Sequence, residues 1–117
     1  MKTKRRTARK ISIRGLVFQE GDRLSVRCLE YDLATQARTL PQLCKSLNRL
    51  ILGHIAVRLH HNQRPFESLP PAPQKYWAMF KRSKIPVSVH ATNVRPMRSN
   101  GFVVPPPELR AAPPNAA

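Results

Sequence analysis

The hydrophobic and polar positions near the start of the chain alternate with a period of two, the repeat of a β-strand whose faces differ. Small or apolar residues occupy every second position over 11–17 and again over 24–28, which predicts two strands. The sequence EGD at 20–22 separates these stretches and is typical of a hairpin turn. A shorter alternation over 33–38 predicts a third strand.

The longest regular pattern is a recurrence of apolar residues at three- and four-residue steps, which indicates one face of an amphipathic helix. Thr39 and Gln42 stand at the two positions of a capping box, and Pro41 is tolerated in the first turn of a helix. The pattern therefore predicts a helix from about 40 to about 61.

Proline divides the second half of the chain. The segment 64–73 is a proline-rich connector, and an aromatic-rich stretch predicts a short helix at about 74–82. A fourth strand is expected over 85–90, where Pro86 favours a sheet edge. The segment 91–117 holds half of the 12 prolines and is expected to be a disordered tail.

These elements predict a single α+β domain over 11–90, in which a small antiparallel sheet with the order β-β-β-α-β packs on one long helix. Residues 1–10 carry six basic residues and no acidic residue, which indicates a disordered basic arm. A domain of this size has a small core, so self-association is a way to gain burial and a homo-oligomer stays open.

The step into the predicted helix reads TQARTL at 35–40, and it is similar to the TQGDTL-like step of the HicB-like antitoxin domain. Ala37 takes the place of the usual Gly and Arg38 that of the usual Asp. The stretch over about 15–55 resembles that family. The resemblance implies a partial RNase-H-like or double-stranded-RNA-binding-like fold without catalytic residues. It also implies a protein partner, a small RNA-cleaving toxin.

The charge balance is extreme, with 21 Lys and Arg against 6 Asp and Glu and a formal net charge of +15. Such a field attracts polyanions, of which nucleic acid is the commonest, although an acidic protein or an anionic membrane surface satisfies the same physics. Candidate phosphate contacts are the basic residues of the arm: Lys2, Lys4, Arg5, Arg6, Arg9 and Lys10.

A second cationic surface follows from the strand period. If the long helix covers one sheet face, Arg14, Arg27 and Arg38 lie together on the other. Guanidinium groups suit phosphate and carboxylate, so this face is a candidate site for nucleic acid or an acidic partner. The plain alternative is an ordinary solvated sheet face.

Aromatic residues with basic neighbours form a third candidate, in the predicted short helix. Tyr76, Trp77 and Phe80 are candidates for a protein contact, since aromatic residues are frequent anchors of interfaces. The alternative is a lid that covers the long helix or the sheet edge.

The polar residues do not form a pattern that catalysis requires. Asp22 and Asp32 are isolated acids, and Cys28 and Cys44 fall on faces predicted to be buried, where thiols are usually inert. The four histidines lack further ligands at the spacing of a zinc site. We therefore expect no catalytic residue, no metal and no cofactor.

Two unpaired cysteines are typical of a reducing compartment, and no apolar run is long enough to cross a membrane, so we expect a cytoplasmic protein. The expected function is a non-catalytic binding module of the HicB-like type, with a small toxin-like nuclease or another protein as its partner. One alternative is direct RNA or DNA binding through the basic arm and the arginine-bearing sheet face. The other is an orphan member of the family without a toxin.

Overall fold

A computed structural model describes residues 9–87, 97–99 and 102–112. Its two helices are α1 (Leu40–His60) and α2 (Gln74–Arg82). Its strands are β1 (Arg9–Lys10), β2 (Arg14–Glu20), β3 (Arg23–Cys28), β4 (Ala34–Ala37), β5 (Pro86–Val87), β6 (Met97–Ser99), β7 (Phe102–Val104) and β8 (Glu108–Ala111).

The main sheet has five strands in the order β4-β3-β2-β8-β5. β2 and β3 form an antiparallel hairpin whose turn contains Gly21 at φ 65°, a left-handed conformation that glycine adopts without steric cost. β4 continues the sheet antiparallel to β3, whereas β8 lies parallel to β2. A smaller sheet has the order β1-β7-β6.

Gly15 allows the close approach of the strands around β2. A Cβ atom at this position would lie 2.8 Å from Leu109 Cδ2 and 3.1 Å from Val26 Cγ2. Because both distances are shorter than an ordinary van der Waals contact, a larger residue would force the side chains of Leu109 and Val26 to shift.

Helix α1 covers one face of the main sheet. Thr39 is its N-cap, and the Thr39 side chain accepts a hydrogen bond from the Gln42 backbone N–H at 3.3 Å. The apolar stripe of the helix packs on the sheet, and its buried members are Leu43, Cys44, Leu47, Ile51 and Ile55. This layer forms the larger of two hydrophobic cores.

Helix α2 covers the opposite face of the same sheet. Phe80 is buried there with Leu16 of β2, and Leu29 and Ala72 complete this smaller core. The sheet is therefore a central layer between two helices, with the proline-rich connector carrying the chain from one face to the other.

The α+β class is confirmed, while the details of the sheet differ from the prediction. The sheet is mixed because β8, from the segment 91–117 expected to be a disordered tail, is inserted between β2 and β5. Leu109 of β8 is buried in the core. The proline content of the segment had indicated disorder, although this residue can join a core. Arg9–Lys10, expected to lie in a disordered arm, pair with β7.

Candidate functional site

Three arginines of the sheet face beneath α2 contact this helix. Arg27 of β3 and Arg110 of β8 both lie opposite Leu16 of β2 in the strand register, which places them in one row across the sheet. Arg14 precedes this row by two residues along β2 and therefore shares the same face. The predicted grouping of Arg14 with Arg27 on the face opposite α1 agrees with this register.

Each of these arginines has a carboxylate partner. Arg14 Nε lies 2.5 Å from Glu30 Oε2, and Arg110 Nη2 lies 3.2 Å from Glu108 Oε2. Arg27 forms a two-pronged pair with Asp32, with N–O distances of 2.5 and 3.0 Å. The guanidinium groups are thus neutralised within the chain, which removes most of their attraction for a diffusing anion.

The aromatic residues of α2 lie against the same guanidinium groups. The Arg27 Cζ atom lies 4.6 Å from the centroid of the Tyr76 ring, Arg14 Cζ lies 4.9 Å from that of Trp77, and Arg110 Cζ lies 4.4 Å from that of Phe80. We call these six residues the guanidinium–aromatic layer. It fixes α2 on the sheet through cation–π contacts as well as through the buried Phe80.

The hydrogen bond to Asp32 raises the pKa of Arg27 above its ordinary value, against an opposing effect of burial. The arginine therefore stays charged beneath α2, where Asp32 balances it.

The predicted open patch of Arg14, Arg27 and Arg38 requires correction. Arg14 and Arg27 are paired and partly covered by α2, and Arg38 is an exposed residue beyond the end of β4. The third arginine that contacts α2 is Arg110, which the sequence did not indicate because its strand lies in a proline-rich segment.

The aromatic candidates Tyr76, Trp77 and Phe80 cover a sheet face, whereas the lid alternative placed them over the long helix or the sheet edge. Phe80 is buried, and Tyr76 and Trp77 are half-buried. The Trp77 indole N–H donates to the Ala72 carbonyl at 3.1 Å, so its polar atom is also used within the chain. Their role in the structure is packing between α2 and the sheet.

The solvent side of α2 is basic. Lys75, Lys81 and Arg82 on the helix and Lys84 just after it are exposed, and we call these four residues the α2 outer face. Lys75 and Arg82 are seven residues apart, so they lie on one side of the helix at a separation of about 11 Å. The helix sequence QKYWAMFKR contains no acidic residue.

The carboxylates of the described residues leave the α2 outer face without a counter-charge. Glu30, Asp32, Glu67 and Glu108 pair with arginines elsewhere, and Glu20 accepts hydrogen bonds from Ser25 and Gln36. Asp22, the sixth acidic residue, is exposed in the turn between β2 and β3. In the part of the chain that the structure describes, no ion pair involves Lys75, Lys81, Arg82 or Lys84. The α2 outer face therefore carries positive charge that no carboxylate of the described residues pairs, although the Lys75 ammonium lies 5.0 Å from the centroid of the Tyr76 ring.

The basic arm is only partly described. Lys2, Lys4, Arg5 and Arg6 lie outside the described residues. Arg9 and Lys10 are exposed in β1, where they add to the basic surface beside the C-terminal end of α1.

The residues with reactive side chains are held in structural roles. Burial raises the pKa of the Cys28 thiol to about 12, which keeps it protonated and unreactive at neutral pH. His54 Nε2 accepts a hydrogen bond from the Phe66 backbone N–H at 2.8 Å. Over 9–87, 97–99 and 102–112, no three His, Cys, Asp or Glu side chains are close enough together to hold a metal ion.

Neither α1 nor α2, the helices of the described segments, has the length and apolar content needed to cross a bilayer. No family model, no curated protein and no solved structure matches this chain.

Proposed function

We propose that this protein is a non-catalytic binding module for a polyanion, with nucleic acid as the partner, and that the α2 outer face is the contact surface. One observation carries the proposal. Lys75, Lys81 and Arg82 on the docked helix and Lys84 just after it are exposed without a carboxylate partner among the described residues. Lysine and arginine presented in this way bind phosphates and release the counterions around nucleic acid.

The docking of α2 favours nucleic acid over a membrane surface. An amphipathic helix that lies in a membrane inserts its apolar side among the lipids. In this protein the apolar side of α2 is occupied by the sheet, because Phe80 is buried against Leu16. The exposed side of α2 therefore presents basic residues and no apolar stripe, and such residues bind anionic groups such as the phosphates of nucleic acid.

The guanidinium–aromatic layer gives this surface its rigidity. Tyr76 and Trp77 each contact an arginine that is itself fixed by an acidic residue of the loop after β3. A basic helix held in place loses less conformational entropy on binding than a flexible basic arm. The proposed contact residues on α2 replace the sheet arginines as the main candidates for phosphate binding.

Salt dependence tests the proposal directly. Binding of labelled single- and double-stranded oligonucleotides is measured by fluorescence anisotropy between roughly 50 and 200 mM salt. The triple variant Lys75→Gln/Lys81→Gln/Arg82→Gln is expected to reduce the slope of log K against log salt by roughly 2 to 3 units, since each phosphate contact contributes about one.

A matched control separates a site from a general effect of charge. The variant Arg38→Gln/Lys45→Gln/Arg49→Gln also removes three positive charges from exposed positions. Arg38 lies just before α1, and Lys45 and Arg49 lie in the first half of this helix. This control is expected to keep most of the slope. Equal losses in the two variants would mean that net charge alone attracts the oligonucleotide, and the α2 outer face would then be rejected as the site.

A second candidate, a HicB-like protein that binds a small nuclease toxin, is favoured by the open edge of the sheet. Among the described strands β4 pairs only with β3, and it contains no proline, lysine or arginine that would protect an edge. The Cys28 N–H donates to the Leu33 carbonyl, so these two residues form a hydrogen-bonded pair. In an antiparallel pair of strands every second residue forms such a pair, so the backbone N–H and C=O groups of Ala34 and Gln36 point away from β3. A partner strand pairs with such groups.

The second candidate predicts that a gene beside this one in the native genome encodes a small nuclease-like protein, and the test uses that protein. Co-purification and inhibition of RNA cleavage are expected for the unmodified chain, and Gln36→Pro is expected to weaken both because it removes an outward N–H. Gln36→Ala is the control, since it loses the same side-chain hydrogen bond to Glu20 but keeps the N–H. No complex, or equal weakening by both variants, would count against edge pairing.

A further inference from the structure

A cavity of about 490 Å³ lies where the C-terminal end of α1 meets the small sheet. Its apolar wall is formed by Ile11, Leu59, Pro65 and Phe102. Ile11 and Phe102 are almost fully buried, so this wall is a fixed part of the core. The volume lies within the range of about 300 to 1,000 Å³ that is usual for small-molecule sites.

The polar part of the cavity is positively charged. Arg9 from β1 and Arg64 from the loop after α1 both line it, together with the side-chain amides of Asn62 and Gln63. Arg64 lies 3.9 Å from Glu67, and both side chains are largely exposed, so this ion pair is weak. Arg9 has no ion pair with any of the described residues.

The loop that forms one wall is held in an unusual conformation. Phe66 has φ 69°, and bulky residues rarely adopt positive φ. The conformation is fixed by the hydrogen bond from its backbone N–H to His54 and by ring contacts to His54 and Tyr31 at 4.9 and 4.7 Å. Such backbone outliers cluster at ligand sites, where the surrounding contacts maintain them.

Asn62 also has positive φ, at 56°, but it follows the C-cap of α1, where a left-handed asparagine is ordinary. Phe66 has no such explanation from helix capping. It lines a second cavity of about 330 Å³ that shares Arg9 and Arg64 with the first. The loop that contains Phe66 therefore lies beside both cavities, and Arg9 and Arg64 line both of them.

We propose that this cavity binds a small monocarboxylate with an apolar body, whose carboxylate contacts Arg9 and Arg64 and whose body lies on Ile11, Leu59 and Phe102. The two arginines select a negative charge, and the apolar wall selects a hydrocarbon group of several carbons. This site is separate from the α2 outer face, so its failure in a test would leave the nucleic-acid proposal untouched.

Octanoate is the probe, with octanamide and acetate as comparison compounds. Binding to the full chain is followed by two-dimensional amide NMR at physiological salt. Octanoate is expected to give saturable shifts centred on Leu59, Gln63 and Phe102. Octanamide, which lacks the charge, and acetate, which lacks the body, are each expected to bind at least about tenfold more weakly.

The variants replace exposed arginines, which do not contribute to the core, so we expect the variant proteins to fold. A change in affinity then reports on binding. Arg64→Gln and Arg9→Gln are each expected to weaken octanoate binding about tenfold. Arg49→Gln, which removes an exposed charge from α1 away from the cavity lining, is expected to leave it unchanged.

Three results would overturn the assignment: no saturable shift at the cavity, equal affinity for octanoate and octanamide, or an equal loss in Arg49→Gln. Displacement of octanoate by an oligonucleotide from the same amides would also overturn it, since the two arginines would then belong to a nucleic-acid surface.

Discussion

His54 shows how a single uncharged side chain organises a loop. Its Nε2 atom accepts the Phe66 N–H, which is possible only while that nitrogen carries no proton. Burial, with a smaller contribution from the nearby Arg58, lowers the pKa of His54 below its ordinary value. The neutral form is therefore the one that the folded protein stabilises.

Acidification is expected to reduce stability through this residue. Because the pKa is lower in the folded state, the unfolded chain binds more protons once the pH falls below about 6.5. The contribution is present above that pH and is lost as the pH falls through the folded-state value. Urea unfolding measured at several pH values between about 7.5 and 5 is expected to show this decrease.

His54→Gln removes the titrating group while leaving a polar side chain, and its pH dependence is expected to be flatter than that of the unmodified chain. His61→Gln, at an exposed position, is the control. Identical pH profiles for all three proteins would show that His54 does not couple the loop to pH.

At the scale of elements, the docking of α2 depends on charged groups as well as on apolar burial. The helix buries only Phe80 fully, and Tyr76 and Trp77 lie over arginines that are held by Asp32 and Glu30. The acidic residues just after β3 thus position the arginines, and the arginines position the helix.

A double-mutant cycle tests this chain of contacts. Arg27→Gln is expected to lower the free energy of unfolding by about 1 to 2 kcal/mol, because it breaks a half-buried ion pair and its contact with Tyr76. Asp32→Asn is expected to be similar, and the double variant is expected to cost less than the sum. Additive losses in chemical denaturation would show that the pair does not act as a unit.

The elements that could be predicted from the sequence are those whose signal is local. The β2–β3 hairpin and α1 are read from periodicity and capping residues, and the period of two correctly places Arg14 and Arg27 opposite α1. Nothing in that period says that α2 covers them, because the packing of one element on another is not local. For this reason the sequence indicated the sheet arginines as a binding surface, whereas the structure shows them paired and leaves exposed basic residues on α2.

β8 could not be predicted for a related physical reason. Its sequence ELRA offers one large apolar residue, Leu109, and it follows a run of prolines that is typical of a disordered tail. Its stability comes from pairing with β2 and from the space that Gly15 leaves for Leu109. A strand of this kind is defined by its neighbours and has little signal of its own.

At the scale of the whole molecule, β8 brings an early and a late part of the chain together in one sheet. This strand occupies the position between β2 and β5, so it joins the hairpin near the start of the chain to the segment after α2. It also contributes Arg110 to the guanidinium–aromatic layer and Leu109 to the larger core. Both cores consequently depend on a segment near the end of the chain.

Truncation tests whether β8 is part of the cooperative unit. Ending the chain after Val104 removes β8, exposes the edge of β2 and takes Leu109 from the core, so we expect the loss of a single cooperative thermal transition. Ending it after Ala112 keeps every described strand and is expected to leave the transition unchanged. A cooperative transition that survived the shorter truncation would mean that the three-stranded sheet of β2, β3 and β4 with α1 is sufficient to fold, and that β8 adds only to an already stable core.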